Sequence, residues 1–320
     1  MASGTIKKDS GFGIAQVILF ISIAILVIFV AWPVLLILFN AFFVDGKFNS
    51  MDFYKVLTEP ETFQALINSL IIASMTTVGS TIVGTFFAWL VTRTDLPYKT
   101  FMKSLFLVPF MLPSFIGALA WKMLLSPHSG YINKWFMATF NTTEPLFDIY
   151  TYHGISCVEV MYLFPFVFIQ VCGALERMDP TLEEAARVSG ASPLRTVLDV
   201  TLPLMAPSIL AGGLLVFIAA GSCFGIPSIV GMPGNIEVMT TRIVTYIYMG
   251  DDAGIRDSTA LAASLMFIAN ILLMGMTWMM GRKDYTTISG KSTRPNIVEL
   301  GKWRWPAFCA VGLYGAIAVI

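Results

Sequence analysis

Six apolar stretches constrain this chain more than any other feature. The first runs from Ile14 to Phe43, and the others fall at about Leu66–Val91, Ser104–Leu125, Gly154–Leu175, Met205–Val230 and Ser258–Met280. Each has about 20 residues or more, enough to cross a hydrocarbon core of roughly 30 Å as a helix rising 1.5 Å per residue. Hydrocarbon leaves no water to satisfy a bare peptide group, so such stretches must form helices that close their own hydrogen bonds. The chain is 56% hydrophobic and only 12% charged, whereas a soluble domain carries roughly 25% charged residues. The expectation is an all-α polytopic membrane protein. The first stretch is too long for a removable signal peptide and lacks a small-residue cleavage site, so it should stay as a helix. Pro109, Pro113, Pro165 and Pro227 fall inside the stretches, where neighbouring helices are expected to satisfy the freed backbone groups.

Several function classes are excluded. Net charge is formally +0 over 320 residues, which leaves no broad basic surface for nucleic acid. The two histidines, His128 and His153, are too few and too far apart for a metal cluster. Gly290-Lys291-Ser292 imitates a phosphate loop, but its required first glycine would fall at Tyr285, and no strand precedes it. Asn141-Thr142-Thr143 matches a glycosylation tripeptide with no secretory context around it. Cys157, Cys172, Cys223 and Cys309 lie in apolar sequence and read as buried small hydrophobes. No nucleophile–base or metal constellation is present, so no catalytic residue and no cofactor of the chain's own are expected.

Lysine and arginine set the orientation of such a chain. With the N-terminus inside, Lys7, Lys8, Arg93, Lys99, Lys103, Arg177, Arg187, Arg195, Arg282, Lys283, Lys291, Arg294, Lys302 and Arg304 all fall inside, 14 in number. Only Lys47, Lys55, Lys122, Lys134, Arg242 and Arg256, six residues, fall outside. A cytoplasmic N-terminus therefore puts residues 183–207, EEAARVSGASPLRTVLDVTLPLMAP, in the cytoplasm between the fourth and fifth spans. The local grammar there is helical. Asp179 is placed to cap a helix opening at Pro180. Thr181 and Glu184 have capping-box spacing, and Gly190 supplies the left-handed C′ position. Ser192-Pro193 opens a second helix, which Pro203 is expected to break before the fifth span.

Glu184-Ala185-Ala186, three residues, Gly190, nine residues and then Val200-Thr201-Leu202-Pro203 resembles the EAA loop of the permeases of binding-protein-dependent ABC importers. The family pattern is EAA, three residues, G, nine residues, I-x-L-P; the one departure is Val200 for isoleucine. The resemblance covers most of residues 14–285 and implies a six-helix ABC importer transmembrane module with a cytoplasmic EAA coupling loop. It further implies that Glu184, Ala185, Ala186, Gly190, Leu202 and Pro203 couple the permease to a separate cytoplasmic ATPase dimer. ATP would be bound by that partner, and an external or periplasmic binding protein would deliver the solute. A second permease module, fused or separate, would complete the path in the bacterial inner membrane.

The solute is narrowed by further resemblance. WLVTRTDLPYKTF (89–101), LVPFMLPSFIGALAW (107–121), FGIPSIVG (224–231) and MTTRIVTYIY (239–248) are similar to the ferric-iron branch of these permeases. Thiamine, polyamine and 2-aminoethylphosphonate permeases share much of this wording. Intramembrane polar groups are functional suspects. Glu159 and, deeper, Gln170 are candidates for the translocation path; the alternative for Glu159 is a carboxylate hydrated at the outer interface or paired with a neighbouring helix. Were the chain instead an ion-coupled carrier, Glu159 would be its coupling group. Asn68 and Asn270 are expected to bond between helices, and Gly212-Gly213 and Gly221-x-x-x-Gly225 to allow close packing in the fifth span. The expected organisation is a cytoplasmic segment 1–13, the module 14–285, a cytoplasmic linker 286–302 and, at 303–320, the start of a further span. Trp303 and Trp305 read as interfacial anchors. The apolar run from Pro306 to Ile320 would either open a truncated second module or form a short peripheral helix.

Overall fold

A computed structural model describes residues 14–44, 47–48, 50–250, 252–281 and 297–319. The expectations for residues 1–13, for the phosphate-loop imitation at 290–292 and for most of the linker lie outside these. In chain order the helices are α1 (Ile14–Leu26), α2 (Trp32–Phe42), α3 (Ser50–Thr58), α4 (Pro60–Arg93), α5 (Lys99–Met111), α6 (Ser114–Leu125) and α7 (Tyr131–Phe140). They continue with α8 (Tyr152–Arg177), α9 (Thr181–Val188), α10 (Pro193–Thr196), α11 (Leu202–Gly221), α12 (Met239–Met249), α13 (Asp252–Gly281) and α14 (Arg304–Ala318). A π segment, Val27–Ala31, joins α1 to α2 into one apolar span, and Phe43–Val44 pairs antiparallel with Lys47–Phe48. The all-α polytopic architecture is the one the apolar pattern predicts.

The centre of the module is the crossing of α4 and α8. Thr76 meets Glu159, Gly79 meets Val160, and Gly84 meets Val167. The partners rise together along both helices, so α4 and α8 run parallel. The chain must therefore return once between them, and α5 with α6 makes that return. These two helices are bent by 96° at Leu112–Pro113. The single straight span expected over Ser104–Leu125 is thus a broken one: Pro113 has no N–H to continue the ladder, and Leu112 bonds only back to Pro109.

The fifth span also departs from expectation. Pro203 does not break it, because a π segment, Val197–Thr201, carries α10 into α11 and leaves Pro203 in the first turn of α11. The helix ends at Gly221 instead of Val230. Residues Pro227–Gly231 form a separate π turn, and Gly225 abuts Ser114 and Phe115 at the break before α6.

Small residues set the helix distances, since in lipid association comes from close packing and not from apolar burial. A Cβ on Gly212 would lie 2.8 Å from the Cα of Val167, and one on Gly213 would lie 3.3 Å from Thr81 Oγ1. Gly221 meets nothing within 4 Å, so the close packing expected there is absent, whereas Gly225 does pack closely, against Ser114. Several hydroxyls in the spans return to their own helices: Ser69 bonds Ala65 O at 2.9 Å, Thr77 bonds Ala73 O at 2.6 Å and Thr92 bonds Ala88 O at 2.6 Å. Asn68 does join elements, donating to Glu237 O at 2.7 Å and accepting from Tyr152 at 2.8 Å. Asn270 does not; its amide bonds Met266 O, one turn back on its own helix, at 2.8 Å. Of the cysteines only Cys172 is buried, while Cys157 and Cys309 are exposed, which corrects the expectation for those two: they face outward from the bundle.

Two further connections complete the module. At the end of the bundle that holds Pro60, Arg242 of α12 is ringed by Glu61, Glu237 at 3.3 Å and Glu59 at 3.7 Å, and it lies 4.8 Å above the Tyr246 ring. At the opposite end, Val298 pairs with Thr94 and donates to Arg93 O at 2.7 Å. That pairing delivers α14 onto α5. Tyr314 lies against Phe87 and Phe164, with ring centroids 4.7 and 5.5 Å away, and Val311 and Ala318 are buried.

The glycine contacts give a direct test. Gly212→Leu should lower the melting temperature in detergent, because overpacking against a backbone atom costs about 1–3 kcal/mol. Gly173→Ala, where nothing lies within 4 Å, should leave it unchanged or slightly raised, since alanine is the better helix former.

The EAA loop as candidate functional site

α9 and α10 stand at the bundle end marked by Arg93 and Arg177. Asp179 starts the loop as expected, its Oδ1 accepting from Thr181 N at 3.0 Å. The Thr181 hydroxyl bonds the same oxygen at 2.8 Å, so it turns back to Asp179 and the capping box with Glu184 does not form. These bonds from the Thr181 backbone and hydroxyl hold the Asp179 carboxyl below the usual carboxylate range. α9 closes in a Schellman turn. Ala191 N bonds Ala186 O at 3.0 Å, Gly190 N bonds Arg187 O at 2.9 Å, and Gly190 has φ +89. Ser192 then caps α10 through Arg195 N at 3.3 Å, with Pro193 first in the helix.

α9 has two unlike faces. Toward the bundle, Glu183 is buried and Leu182 and Ala186 are half-buried. Glu183 Oε1 accepts from Thr201 Oγ1 at 2.8 Å and lies 3.6 Å from Arg93 Nη2. The Glu183 and Arg93 side chains are only 7% and 2% exposed. At 3.6 Å the two charges attract without forming a hydrogen bond. This triad ties α9, the π segment before α11 and the end of α4 into one body. Away from the bundle, Glu184, Ala185 and Gly190 are exposed, and Val188 is 89% exposed. Leu194 and Leu198, one turn apart, are also exposed. The outward surface is thus a small-residue and apolar rim around one carboxylate. The Arg195–Asp199 pair beside it is open to solvent and contributes little.

The other candidates are dispersed. Leu202 and Pro203 are exposed at the start of α11. Glu159 is fully buried in α8, its Oε2 accepting from Thr76 at 2.8 Å, with the Cys223 thiol alongside. Gln170 lies on an exposed part of the same helix. The structure therefore brings Glu184, Ala185, Ala186 and Gly190 together and leaves Glu159 and Gln170 separate from them. Arg93, Glu183 and Thr201 were missed by the sequence reading. The available signal was the residue just before Glu184: on a helix of eight residues, adjacent glutamates point about 100° apart, so only one of them can face outward. Among the described residues no group of three or more His, Cys, Asp or Glu side chains gathers as a metal site.

No protein-family model matches the chain. Over 279 residues, 87% of this chain and 43% of the relative, it is 27% identical to a putative ferric transport system permease protein, FbpB 1, of Haemophilus influenzae. It spans less than half the length of that relative. Over 232 residues, 71% of this chain and 84% of the relative, it is 30% identical to the spermidine/putrescine transport system permease protein PotB of Escherichia coli. A solved bacterial ABC transporter, involved in import of the acidic polysaccharide alginate, has a chain that superposes with a TM-score of 0.68 at 17% identity, covering 84% of this chain and 96% of that one.

The two faces of α9 should separate in mutants. Glu183→Ala leaves a buried arginine without its partner and should cost about 3–5 kcal/mol, read as a lowered melting temperature in detergent. Thr201→Val should cost about 1.5–3 kcal/mol, the loss of one bond to a charged group. Glu184→Ala, on the open face, should stay within about 0.5 kcal/mol of the parent.

Proposed function

The chain belongs to the permeases of binding-protein-dependent ABC importers, and we propose that it forms one half of a translocation path driven by a separate ATPase dimer. The observation that carries this reading is the build of the EAA loop. Its inner face is anchored to the bundle by Glu183, Arg93 and Thr201, and its outer face leaves Glu184, Ala185, Val188 and Leu194 free. An exposed apolar rim on a rigid base suits insertion into a partner's cleft, with Glu184 meeting a basic group there. When paired ATPases close, a loop so anchored would carry the ends of α4 and α11 with it, rocking the spans between inward- and outward-facing states. The loop is placed on the cytoplasmic side, as the lysine and arginine distribution favours. A second module, fused or separate, would present the second loop to the ATPase dimer.

Ferric iron is the proposed solute, delivered by a periplasmic binding protein. The match to the ferric permease runs through 279 residues, against 232 for the polyamine permease. The 30% identity to the latter favours a polyamine as the second reading. Neither solute requires ligands in the spans when selectivity lies with the binding protein.

Val188→Asp should leave the melting temperature unchanged, abolish uptake and release the ATPase during purification. Full uptake in this variant would sink the coupling role of the loop. Deletion of the gene should abolish uptake of labelled ferric iron, and an excess of unlabelled polyamine, thiamine or 2-aminoethylphosphonate should not compete. Competition by a polyamine would move the assignment to the second reading.

A further inference from the structure

Beneath the EAA loop lies a cavity of about 570 Å³ between α4, α8 and α11. Arg93 and Glu183 stand at its loop end, beside Arg187. From there its walls follow α4 through Trp89, Phe86 and Ile82 to Thr81, and α11 through Met205 to Ile209. Twelve helical rises separate Thr81 from Arg93 and make the cavity about 18 Å long. Arg93 is 1% exposed, and Nε, Nη1 and Nη2 all lack a hydrogen-bond partner among the described residues. Thr85 Oγ1, on the same wall, is buried and unpartnered as well. A guanidinium offers five donors, and Glu183 at 3.6 Å uses none of them as a hydrogen bond. Donors left bare in an apolar enclosure are costly, so they point to an acceptor that the described residues do not supply.

The shape says what kind of acceptor. The cation sits at the last turn of a membrane span, where headgroups lie, and the apolar walls run from it toward the middle of the bilayer. Ile82 and Phe86, 64% and 54% exposed, open those walls to the outside of the bundle. A free phosphate would match Arg93 but leave the walls unfilled, and water would match neither. A basic pocket between spans at a membrane interface suits an anionic lipid headgroup.

We propose that this cavity holds one anionic phospholipid, its phosphodiester bound by Arg93 and one acyl chain lying along Phe86, Met205 and Ile209. The lipid completes the anchor of the EAA loop, since Arg93 then bridges the phosphate and Glu183.

The test is native mass spectrometry of the full chain in detergent, with phosphatidylglycerol or phosphatidylethanolamine of identical acyl chains added. One phosphatidylglycerol should be retained about fivefold more strongly, the factor expected for one arginine–anionic lipid contact, and an excess of inorganic phosphate should not displace it. The double variant Arg93→Met, Glu183→Met removes both charges together and should abolish the preference. Ile209→Trp fills the apolar end without touching either charge and should weaken retention of that one lipid. Equal retention of the two lipids, displacement by inorganic phosphate, unchanged preference in the double variant or unchanged retention in Ile209→Trp would overturn the proposal. The readout uses neither ATP nor a transported solute, so it stands or falls apart from the transport reading.

Discussion

Hydrocarbon offers no hydrogen-bond partner, and this constraint places most of the backbone and several side chains within the spans. Peptide groups close on themselves in helices, and hydroxyls such as Thr77 and Thr92 return to the carbonyl one turn back. The carboxylate of Glu159 meets the Thr76 hydroxyl across the α4–α8 crossing. That crossing is close because Gly79 and Gly84 let α8 approach, and α5, α6, α11 and α12 are placed against it. Even the two interruptions follow the rule. The break before α6 and the turn after α11 meet each other, with Gly225 against Ser114, so irregular backbone is packed on protein.

Charge at the loop end is handled differently. A buried arginine is tolerated there because Glu183 faces it and Thr201 holds Glu183. A pair of this kind adds little net stability over apolar packing, but losing one partner is expensive. Its effect is therefore geometric: α9 has one orientation on the bundle, and that orientation turns Glu184 and Val188 outward. A loop with an equally open rim but no anchor would swing freely and transmit no displacement to α4 or α11.

Much of this was legible in the residues. Asp179, Gly190 and Ser192 act as the capping rules require. The spans were legible as apolar lengths, though their ends and breaks were not. Pro203 was expected to end a helix, and it does not because a π segment shifts the register ahead of it. Pro113 was expected to be absorbed within a straight span, and it bends the span by 96°. A proline marks where a helix is weakened, whereas neighbouring packing decides whether the weakness becomes a turn. Tyr314 of α14 packs against Phe87 and Phe164, a contact between residues more than a hundred positions apart that no local pattern encodes.

By itself the sequence determined the solvent, the helical class and the caps of the loop helices, because these follow from apolar length and short-range capping chemistry, while the EAA loop was recognised by its resemblance to a family pattern. Only the tertiary structure decided which of two adjacent glutamates is the anchor and which faces outward. It also decided that Glu159 is enclosed within the module and that Arg93 heads an elongated cavity. Burial and pairing of these groups depend on helices distant in sequence, and the distance between those helices is set by a few glycines whose partners appear only when the chain is folded.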